Sequence, residues 1–408
     1  MARRAMGAAL LGAWIGASRL MAQTLDASGG GAPRTIQPSG WLESEIRLFP
    51  HTGLYADQQR RLYPALGGEL RLVGTLARRE QHEHRWALTG FARGDLEDGH
   101  RSHLELREAS WTWQPARWQL RAGMLVAFWG VTESNRLVDV VNQRDQREAP
   151  DVDAKLGQPG IAWTGPAAGG TLELYALSYH RPRAFGRGDG RFSAPPSFVS
   201  TPVYESSAGR RRLDWAGRWS THARALDVGL SHFWGTSREP GFRDDEAALQ
   251  ARYSIMHQTG LDAQLTLGAL LLKAEAIRRD EERHAIGAVT TGGEYVLGNV
   301  AGTGGDVVLF AELTLDERRA RTLTGLDRDL FLAARWIPND EAGTEFTVGG
   351  TLDLARGAHV VRFEGSRRWS GSWRVAWEAH LIGGQRAPEF GYLMRRDSFV
   401  RTAVVRHF

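Results

Sequence analysis

The sequence predicts an all-β fold, a transmembrane antiparallel β-barrel of about 16–18 strands, with 18 favoured. Three observations predict it: period-two alternation from Trp41 onward, connections that alternate between short and long, and tryptophans beside the short connections. Because side chains alternate between the two faces of a strand, such segments place apolar groups on one face and charged groups on the other. One face can then contact lipid while the other contacts water.

The first 22 residues have the layout of a secretory signal peptide. Two arginines precede a stretch of small and apolar residues, and a cleavage site follows Ala22. Residues 1–22 are therefore predicted to direct export. Residues 23–38 are predicted to form a flexible periplasmic lead-in, and residues 39–408 the barrel.

The composition argues against other classes of protein. After the predicted signal peptide, no apolar run approaches the roughly 20 residues that a membrane-spanning helix needs. The chain has no cysteine, its net charge is +4, and its basic residues are not interleaved with aromatics as nucleic-acid binding requires. No zinc-protease, nucleophile-elbow or phosphate-loop motif is present, so we expect no enzyme, no catalytic residues, no cofactor and no metal.

The alternating segments follow one another along the chain. Region 257–305 is ambiguous, because several glycines there could each mark a turn or a kink. In chain order, the apolar faces comprise Leu42, Ile46 and Leu48; Leu70, Leu72 and Leu76; Trp86, Leu88 and Ala92; Leu104 and Leu106; Leu213, Trp215 and Trp219; Leu249, Tyr253 and Ile255; Leu270, Leu272, Ala274 and Ala276; Leu330, Leu332 and Trp336; Val361 and Phe363; and Trp373, Val375, Trp377 and Leu381.

The connections form two groups. Short turns are predicted near 80–84, 114–116, 166–170, 221–224, 338–343 and 370–372. Long polar loops are predicted near 50–65, 96–102, 129–158, 181–210, 235–244 and 383–397. Short turns on one side and long loops on the other are typical of outer-membrane barrels. Residues 355–358 would form an unusually tight turn on the long-loop side.

Nine tryptophans lie beside the predicted short turns. Indole rings prefer the headgroup region, where the apolar ring and the polar N–H are both satisfied. We therefore predict a periplasmic aromatic girdle formed by Trp86, Trp111, Trp113, Trp118, Trp163, Trp219, Trp336, Trp369 and Trp373.

The charged faces of the strands are predicted to line the lumen, which holds water in a barrel of this width. Two interpretations remain open at this stage. The charges could form cross-strand pairs that solvate the wall, or unpaired arginines could favour anions along the pore. The predicted basic wall positions are Arg85, Arg93, Arg107, Arg121, Arg218, Arg252, Lys273, Arg335, Arg362 and Arg374.

The loop at 129–158 is the strongest candidate for a functional segment, because it is a long polar interruption between the fifth and sixth strands. Apolar side chains at 137, 138, 140 and 141 would anchor it. The alternative is an exposed loop that contacts calcium or lipopolysaccharide. The candidate pore-constriction residues are Glu133, Arg136, Asp139, Asn142, Arg144, Asp145, Arg147, Asp151, Asp153 and Lys155.

The amino-acid sequence of this region resembles that of a strand and loop in a known family. A strand of the form L-x-x-G-x-x-x-x-x-W-G precedes a D-x-x-N-x-x-D segment, and the matching residues are Gly123, Trp129, Gly130, Asp139, Asn142 and Asp145. This resembles porin-like outer-membrane barrels of Gram-negative bacteria, which share parts of their architecture with alginate-export barrels. The resemblance implies passage of small or amphipathic molecules, and in general porins the loop at this place folds inward and narrows the pore.

We therefore expect an outer-membrane channel for diffusion of small solutes, anionic solutes among them. A transporter of hydrophobic or amphipathic molecules and a structural or adhesive surface barrel are the alternatives. The expected partners are outer-membrane lipid, lipopolysaccharide at the basic loop 181–212, and small solutes, but not nucleic acid. The last strand ends in Phe408 and resembles the carboxy-terminal signal of outer-membrane barrels, which implies the barrel-assembly machinery. The sequence leaves open whether the barrel is monomeric or oligomeric.

Overall fold

The structure, a computed structural model, describes residues 36–79, 82–150, 153–185, 190–193, 199–245, 248–282, 284–318, 327–387 and 390–408. The predicted signal peptide lies outside these residues, as does most of the predicted lead-in. The first strand begins at Ile36, so the last three residues of the predicted lead-in already belong to a strand.

Strands account for most of the described residues. None of the helices in these residues is long and apolar enough to cross a membrane. In chain order the strands are β1 (Ile36–Leu48), β2 (Leu62–Arg79), β3 (His82–Asp95), β4 (His103–Pro115), β5 (Gln119–Leu125), β6 (Gln158–Ala167), β7 (Gly170–Leu177), β8 (Val199–Tyr204), β9 (Asp214–Ala223), β10 (Leu226–Thr236), β11 (Gly241–Asp245), β12 (Ala248–Tyr253), β13 (Ile255–Leu267), β14 (Leu270–Glu281), β15 (His284–Leu297), β16 (Asp306–Asp316), β17 (Arg328–Ile337), β18 (Glu345–Asp353), β19 (His359–Ser370), β20 (Trp373–Gly383) and β21 (Phe399–His407).

Eighteen of these strands form one closed antiparallel barrel. Each pairs with its neighbours along the chain, except that β8, β11 and β12 are left out, and β21 pairs back onto β1. The predicted fold class and the favoured strand number are therefore confirmed. The three remaining strands form a small separate sheet within the long connections β7–β9 and β10–β13.

The two faces of the barrel differ as alternation predicts. Leucines such as Leu104, Leu230 and Leu332 point outward and are about half exposed. Charged side chains on the opposite parity point inward; Glu45 and Glu275, for example, are at most 1% exposed. In a closed barrel the backbone groups form hydrogen bonds between strands, and an apolar exterior allows the barrel to lie in a bilayer.

The connections follow the predicted two-sided pattern, with one exception. On the side of the long loops, β14 ends at Glu281 and β15 begins at His284, a tight connection that was not predicted. On the same side, β18 and β19 are joined by residues 354–358, where a tight turn was expected. The ambiguous region 257–305 contains β13, β14 and β15, with a turn at Gly268 whose backbone has a positive φ of 62°. Glycine adopts that conformation without a steric penalty.

The nine tryptophans of the predicted girdle lie in the short-turn half of their strands or in a short turn. Trp113 and Trp118 pack edge to face with centroids 5.1 Å apart, and the Trp219 indole N–H donates to the carbonyl of Ala167 at 3.0 Å. That the rings lie at the periplasmic headgroup level stays a prediction. Two further outward tryptophans, Trp215 and Trp234, lie at the opposite end of β9 and β10.

Candidate functional site

The connection between β5 and β6, residues 126–157, folds into the barrel, and we call it the constriction loop. β5 has only seven residues, so the loop leaves the wall early. Most of its described residues are buried, and Val138 and Gln143 are completely inaccessible. The loop therefore lies between the fifth and sixth strands, as predicted.

Asn142 fixes the base of the constriction loop. Its side-chain oxygen accepts from the backbone N–H of Ala127, and its amide nitrogen donates to the carbonyls of Leu125 and Leu156, each at 2.9 Å. Lys155 donates to the carbonyl of Ala127 at 2.7 Å and pairs with Asp139 at 2.5 Å. Side chains thus replace the backbone pairing that the loop lacks here.

The apolar residues of the loop are packed as an anchor. Leu137, Val138, Val140 and Val141 are at most 5% exposed and belong to one cluster with inward residues of β10, β13, β14 and β15. Val138 lies against Gly260 of β13, where an added Cβ would be 2.7 Å from the valine Cγ1. Burying four apolar side chains contributes roughly 1.5–3 kcal/mol each to loop placement.

The loop reaches two parts of the wall. Residues 131–138 contact β13, β14 and β16; for instance, Gln258 donates to the carbonyl of Leu137 at 3.0 Å. At the other side, Glu148 pairs with Arg93 of β3 at 2.9 Å, and Arg47 of β1 donates to the carbonyl of Ala149 at 3.2 Å. The constriction loop therefore crosses the lumen.

The Arg93 contact belongs to a buried ion cluster around Glu45 of β1. Arg93 and Arg101 lie 3.0 and 2.8 Å from the Glu45 carboxylate, Arg47 lies 3.6 Å away, and Arg401 of β21 also pairs with it. The Glu45 side chain is fully buried. This cluster fills the lumen between the loop and the strands where the barrel closes.

A cavity of about 310 Å³ remains between the constriction loop and strands β17–β20. Its lining combines charged residues of the loop with wall residues and with apolar side chains from other loops. The lining includes Glu133, Arg136, Asp139, Arg144, Asp145 and Asp153 of the loop; Asp329, Thr351, Asp353, Val360, Arg362, His380 and Ile382 of the wall; and Arg183, Phe192 and Met394. Asp151, also predicted here, lies outside the described residues.

Basic partners accompany the acids of the loop that line this cavity. The pairs are Glu133 with Lys273 at 3.0 Å, Asp139 with Lys155, Asp145 with Arg147 at 2.8 Å, and Asp153 with Arg136. These carboxylates are therefore largely compensated by neighbouring charges.

Arg144 differs from the other charged loop residues. In the described part of the chain, no carboxylate lies within 4.0 Å of its guanidinium. Across the cavity, Arg362 donates to the ring of His380 at 3.0 Å and lies 3.7 Å from Glu364. Two aspartates, Asp329 and Asp353, line the same cavity from the wall, so both signs of charge face it.

The loops around the cavity perturb three pKa values. Burial alone would raise the pKa of Asp145, but the nearby His103 and Arg147 outweigh it and hold that pKa well below its usual value. Burial lowers the pKa of Lys155, and the pairing with Asp139 offsets part of this effect. Burial also lowers the pKa of Arg183 to about 10, and Arg144 adds to this lowering. Asp145 and Arg183 therefore remain charged at neutral pH.

Nine of the ten predicted basic wall residues lie in barrel strands and point inward. Arg252 is a correction: it lies in β12 of the small sheet, is partly exposed, and is 3.4 Å from Glu282. Period-two alternation cannot separate a barrel strand from a strand in a loop, which explains the error. Most of the nine have polar partners, namely Arg85 with Gln114, Arg93 with Glu45, Arg107 with Glu69, Arg121 with Glu108, Arg218 with Asp262, Lys273 with Glu294, Arg335 with Glu345 and Arg374 with Ser366.

The basic loop 181–212 also points several arginines toward the barrel's own groups. Arg181 pairs with Glu105 at 2.7 Å, Arg191 with Asp397 at 2.7 Å, and Arg183 donates to Gln143 of the constriction loop at 3.1 Å. These arginines hold loops together over the mouth. The expected contact with lipopolysaccharide stays a prediction.

One group of side chains among the described residues could hold a metal ion by chemistry. Glu364, Glu378 and His380 offer ligand atoms within 4.8 Å of one another on the inner wall. The guanidinium of Arg362 contacts both His380 and Glu364, and Arg401 lies 3.5 Å from Glu378. Arginines thus supply the positive charge there, and the group does not fit a metal site.

The structure resembles solved porins. OccK3 (OpdO) of Pseudomonas aeruginosa matches with a TM-score of 0.54 at 13% identity, over 91% of this chain and 95% of that chain. OccD3 (OpdP) of the same organism matches with a TM-score of 0.50 at 10% identity, over 91% and 90% of the two chains. The chain has the porin fold.

At this identity the likeness concerns the fold alone. It supports the porin-like part of the sequence resemblance and does not bear on the alginate-export part. No protein-family model matches the sequence, and a comparison with curated proteins gives no match.

The residues of the sequence motif have structural roles in the porin fold. Gly123 and Gly130 have positive φ of 127° and 99°. Asn142 fixes the loop base, Asp139 accepts from the N–H of Trp129 at 3.4 Å, and Asp145 holds Arg147. Sequence reasoning missed Asp329 and Asp353 at the cavity, because alternation shows which residues point inward but not which of them the loop leaves uncovered. It also missed Arg183 there, because this residue reaches the cavity from the connection between β7 and β8.

Proposed function

We propose that the protein is an outer-membrane channel of a Gram-negative bacterium through which small solutes diffuse. The observation that carries this proposal is the closed 18-stranded barrel whose lumen is reduced by an inward loop to a charged cavity. The apolar exterior suits a bilayer, and the polar lumen suits water and dissolved solutes. A channel needs no reacting groups, and we infer a channel, not an enzyme.

The narrowest part of the route would lie between the constriction loop and strands β17–β20. This follows from the contacts of the loop, which occupy the lumen beside β1, β3, β13, β14 and β16. The strands β17–β20 face the cavity instead. A solute passing there would contact loop side chains on one side and wall side chains on the other.

The arginines at the cavity favour anionic solutes within this proposal. Among the residues that the structure describes, Arg144 has no carboxylate within 4.0 Å. Arg362 faces the same space and lies 3.7 Å from the exposed carboxylate of Glu364. Arginine stays charged at any physiological pH and suits the geometry of carboxylate or phosphate groups. The wall aspartates Asp329 and Asp353 would limit the preference for anions to a moderate one.

Ion currents through the refolded protein in a planar bilayer test the proposal. We expect steady ohmic steps, and a reversal potential in a salt gradient that reports the preferred ion. Silence from protein that is shown to be folded and inserted would overturn the channel function.

Arg144→Gln is expected to lower the anion-to-cation permeability ratio by roughly twofold, because a fixed positive charge leaves the pore lining. The reversal potential in a potassium chloride gradient measures the ratio. Arg60→Gln is the matched control, since it removes an arginine whose side chain is 74% exposed and that pairs with Glu97 at 3.5 Å in another loop. An equal shift in both variants would contradict the assignment of Arg144 to the pore.

A second candidate is a transporter of amphipathic molecules, which the sequence resemblance also implies. The apolar part of the cavity lining, with Phe192, Val360, Ile382 and Met394, favours it. This candidate would be supported if the protein shows no current steps in planar bilayers but allows a fluorescent amphipathic acid to enter vesicles that contain it. Adhesion by the external loops has no comparable observation in its favour.

A further inference from the structure

Two inward carboxylates on the wall opposite β5 and β6 contact the constriction loop. Glu275 belongs to β14 and Glu312 to β16, and both side chains are almost completely buried. Ion-pair formation does not explain them. No basic side chain of the described residues lies within 4.0 Å of either carboxylate.

Glu275 accepts four hydrogen bonds from the loop. Its Oε1 accepts from the backbone N–H groups of Val131 and Thr132, at 2.7 and 2.9 Å, and from the Thr132 hydroxyl at 2.8 Å. Its Oε2 accepts from the N–H of Val138 at 3.1 Å. The segment 131–138 therefore wraps around one carboxylate.

Glu312 accepts three hydrogen bonds from the next residues of the same segment. Its Oε1 accepts from the N–H of Glu133 at 2.9 Å. Its Oε2 accepts from the N–H and the hydroxyl of Ser134, at 2.8 and 2.6 Å. Four consecutive backbone N–H groups, at residues 131–134, thus point at two wall carboxylates.

This arrangement compensates two costs at once. A buried carboxylate without a counter-charge is unfavourable, and so is a buried backbone N–H without an acceptor. Hydrogen bonds from neutral donors to an ionised acceptor are stronger than neutral ones, and successive N–H groups form a concave site for anions. If the loop detached, the two carboxylates and the loop N–H groups would lose these hydrogen-bond partners. The contact therefore favours the observed position of the loop.

We propose that Glu275 and Glu312 are positioning residues that hold segment 131–138 across the lumen and thereby set the width of the pore. The proposal rests on the proposed channel function, which it deepens. The wall must supply hydrogen-bond acceptors here, because the loop directs the backbone N–H groups of residues 131–134 toward it. A lysine or arginine, common elsewhere on the wall, would oppose the same N–H groups.

Gly130 supports this assignment from the loop side. Its φ is 99°, a conformation that favours glycine, and an added Cβ would lie 2.6 Å from Oε1 of Glu275. The backbone can approach the carboxylate only because no side chain is present. The glycine and the glutamate therefore act as one contact.

The test is a double variant, Glu275→Gln with Glu312→Gln. Glutamine keeps the size of the side chain but presents an amide that cannot accept all of these hydrogen bonds. We expect single-channel conductance to rise by roughly twofold, with larger open-channel fluctuations, because the loop leaves its position in the pore. Glu294→Gln is the control: this inward carboxylate on β15 pairs with Lys273 and loses a charge in the same part of the lumen.

A second readout does not depend on conduction. The chain has no cysteine, so Glu133→Cys carries a single nitroxide spin label on the loop. The pair of Glu133 with Lys273 is then absent from every labelled protein alike, so it does not affect the comparison. We expect the label to be immobile in the otherwise unchanged protein and mobile in the double variant. Gly130→Ala, which keeps both carboxylates, should also mobilise it, and this variant replaces the double variant if the latter does not fold.

The outcomes separate the two proposals. A label that stays immobile in the folded variants, or conductance and fluctuations equal to those of Glu294→Gln, would overturn the positioning role. A label that becomes mobile in a protein that never conducts would overturn the channel function and leave the positioning role standing.

Discussion

Shortening the constriction loop is expected to raise single-channel conductance several-fold. Replacing residues 131–154 with a short glycine-serine linker removes the segment that occupies the lumen beside β13, β14 and β16. The barrel should still close, because its strands pair with one another and not through the loop. Conductance in a planar bilayer and the reversal potential in a salt gradient are the measurements.

The reversal potential should also move in this variant, since Arg144 leaves with the loop. Deletion of residues 206–208, an exposed turn before β9, is the control and should change neither quantity. Unchanged conductance in the folded loop-shortened barrel would show that another part of the lumen limits the current. Retention of a heat-modifiable mobility on gels verifies that both variants are folded.

Glu45→Gln is expected to destabilise the barrel by about 3–5 kcal/mol, because one buried carboxylate balances several buried guanidinium groups. Arg93 and Arg101 lie 3.0 and 2.8 Å from it, and their side chains are 5% and 6% exposed. After the substitution these cations would remain buried with fewer acceptors. Urea unfolding of the vesicle-bound protein, followed by tryptophan fluorescence, measures the change.

Glu364→Gln is the matched control for this prediction. Glu364 also faces the lumen and lies 3.7 Å from Arg362, but these side chains are 53% and 36% exposed. Exposed pairs contribute only about 0–1 kcal/mol, so the free energy of unfolding should change little. If Glu45→Gln lowers the free energy of unfolding no more than Glu364→Gln does, the prediction is wrong. The remaining acids of the cluster, such as Glu43 and Glu378, would then compensate the arginines.

The barrel could be predicted from the sequence because its physical cause is local. A strand with lipid on one face and water on the other must alternate, and the chain does so from Trp41 to Phe408. The same rule failed at Arg252, because β12 alternates within the small sheet and not in the wall. The tight connection between β14 and β15 was not predicted, because the glycines of region 257–305 left its turns ambiguous. The tight turn at 355–358 was placed on the long-loop side, and β18 and β19 are joined there.

The loop could be located from its polar composition, but its contacts could not. Asn142 and Asp139 are ordinary polar residues in the sequence, and only the fold brings them to the loop base and to Lys155. Likewise, alternation places Glu275 and Glu312 in the lumen without indicating that backbone donors, and not arginines, meet them. Contacts between residues more than a hundred positions apart leave no periodic signal in a single sequence.

The ion cluster around Glu45 also constrains the order of events when the chain is made. Glu45 lies on the first strand, whereas its partner Arg401 lies on the last, 356 positions later. Arg93 and Arg101 can meet Glu45 once the first strands have paired, whereas Arg401 reaches it only when β21 pairs with β1. Joining the first and last strands excludes water from these charges in the same step. The last hydrogen-bonded ladder and the last ion pair of the cluster therefore form together, and a chain without its last strand would lack both.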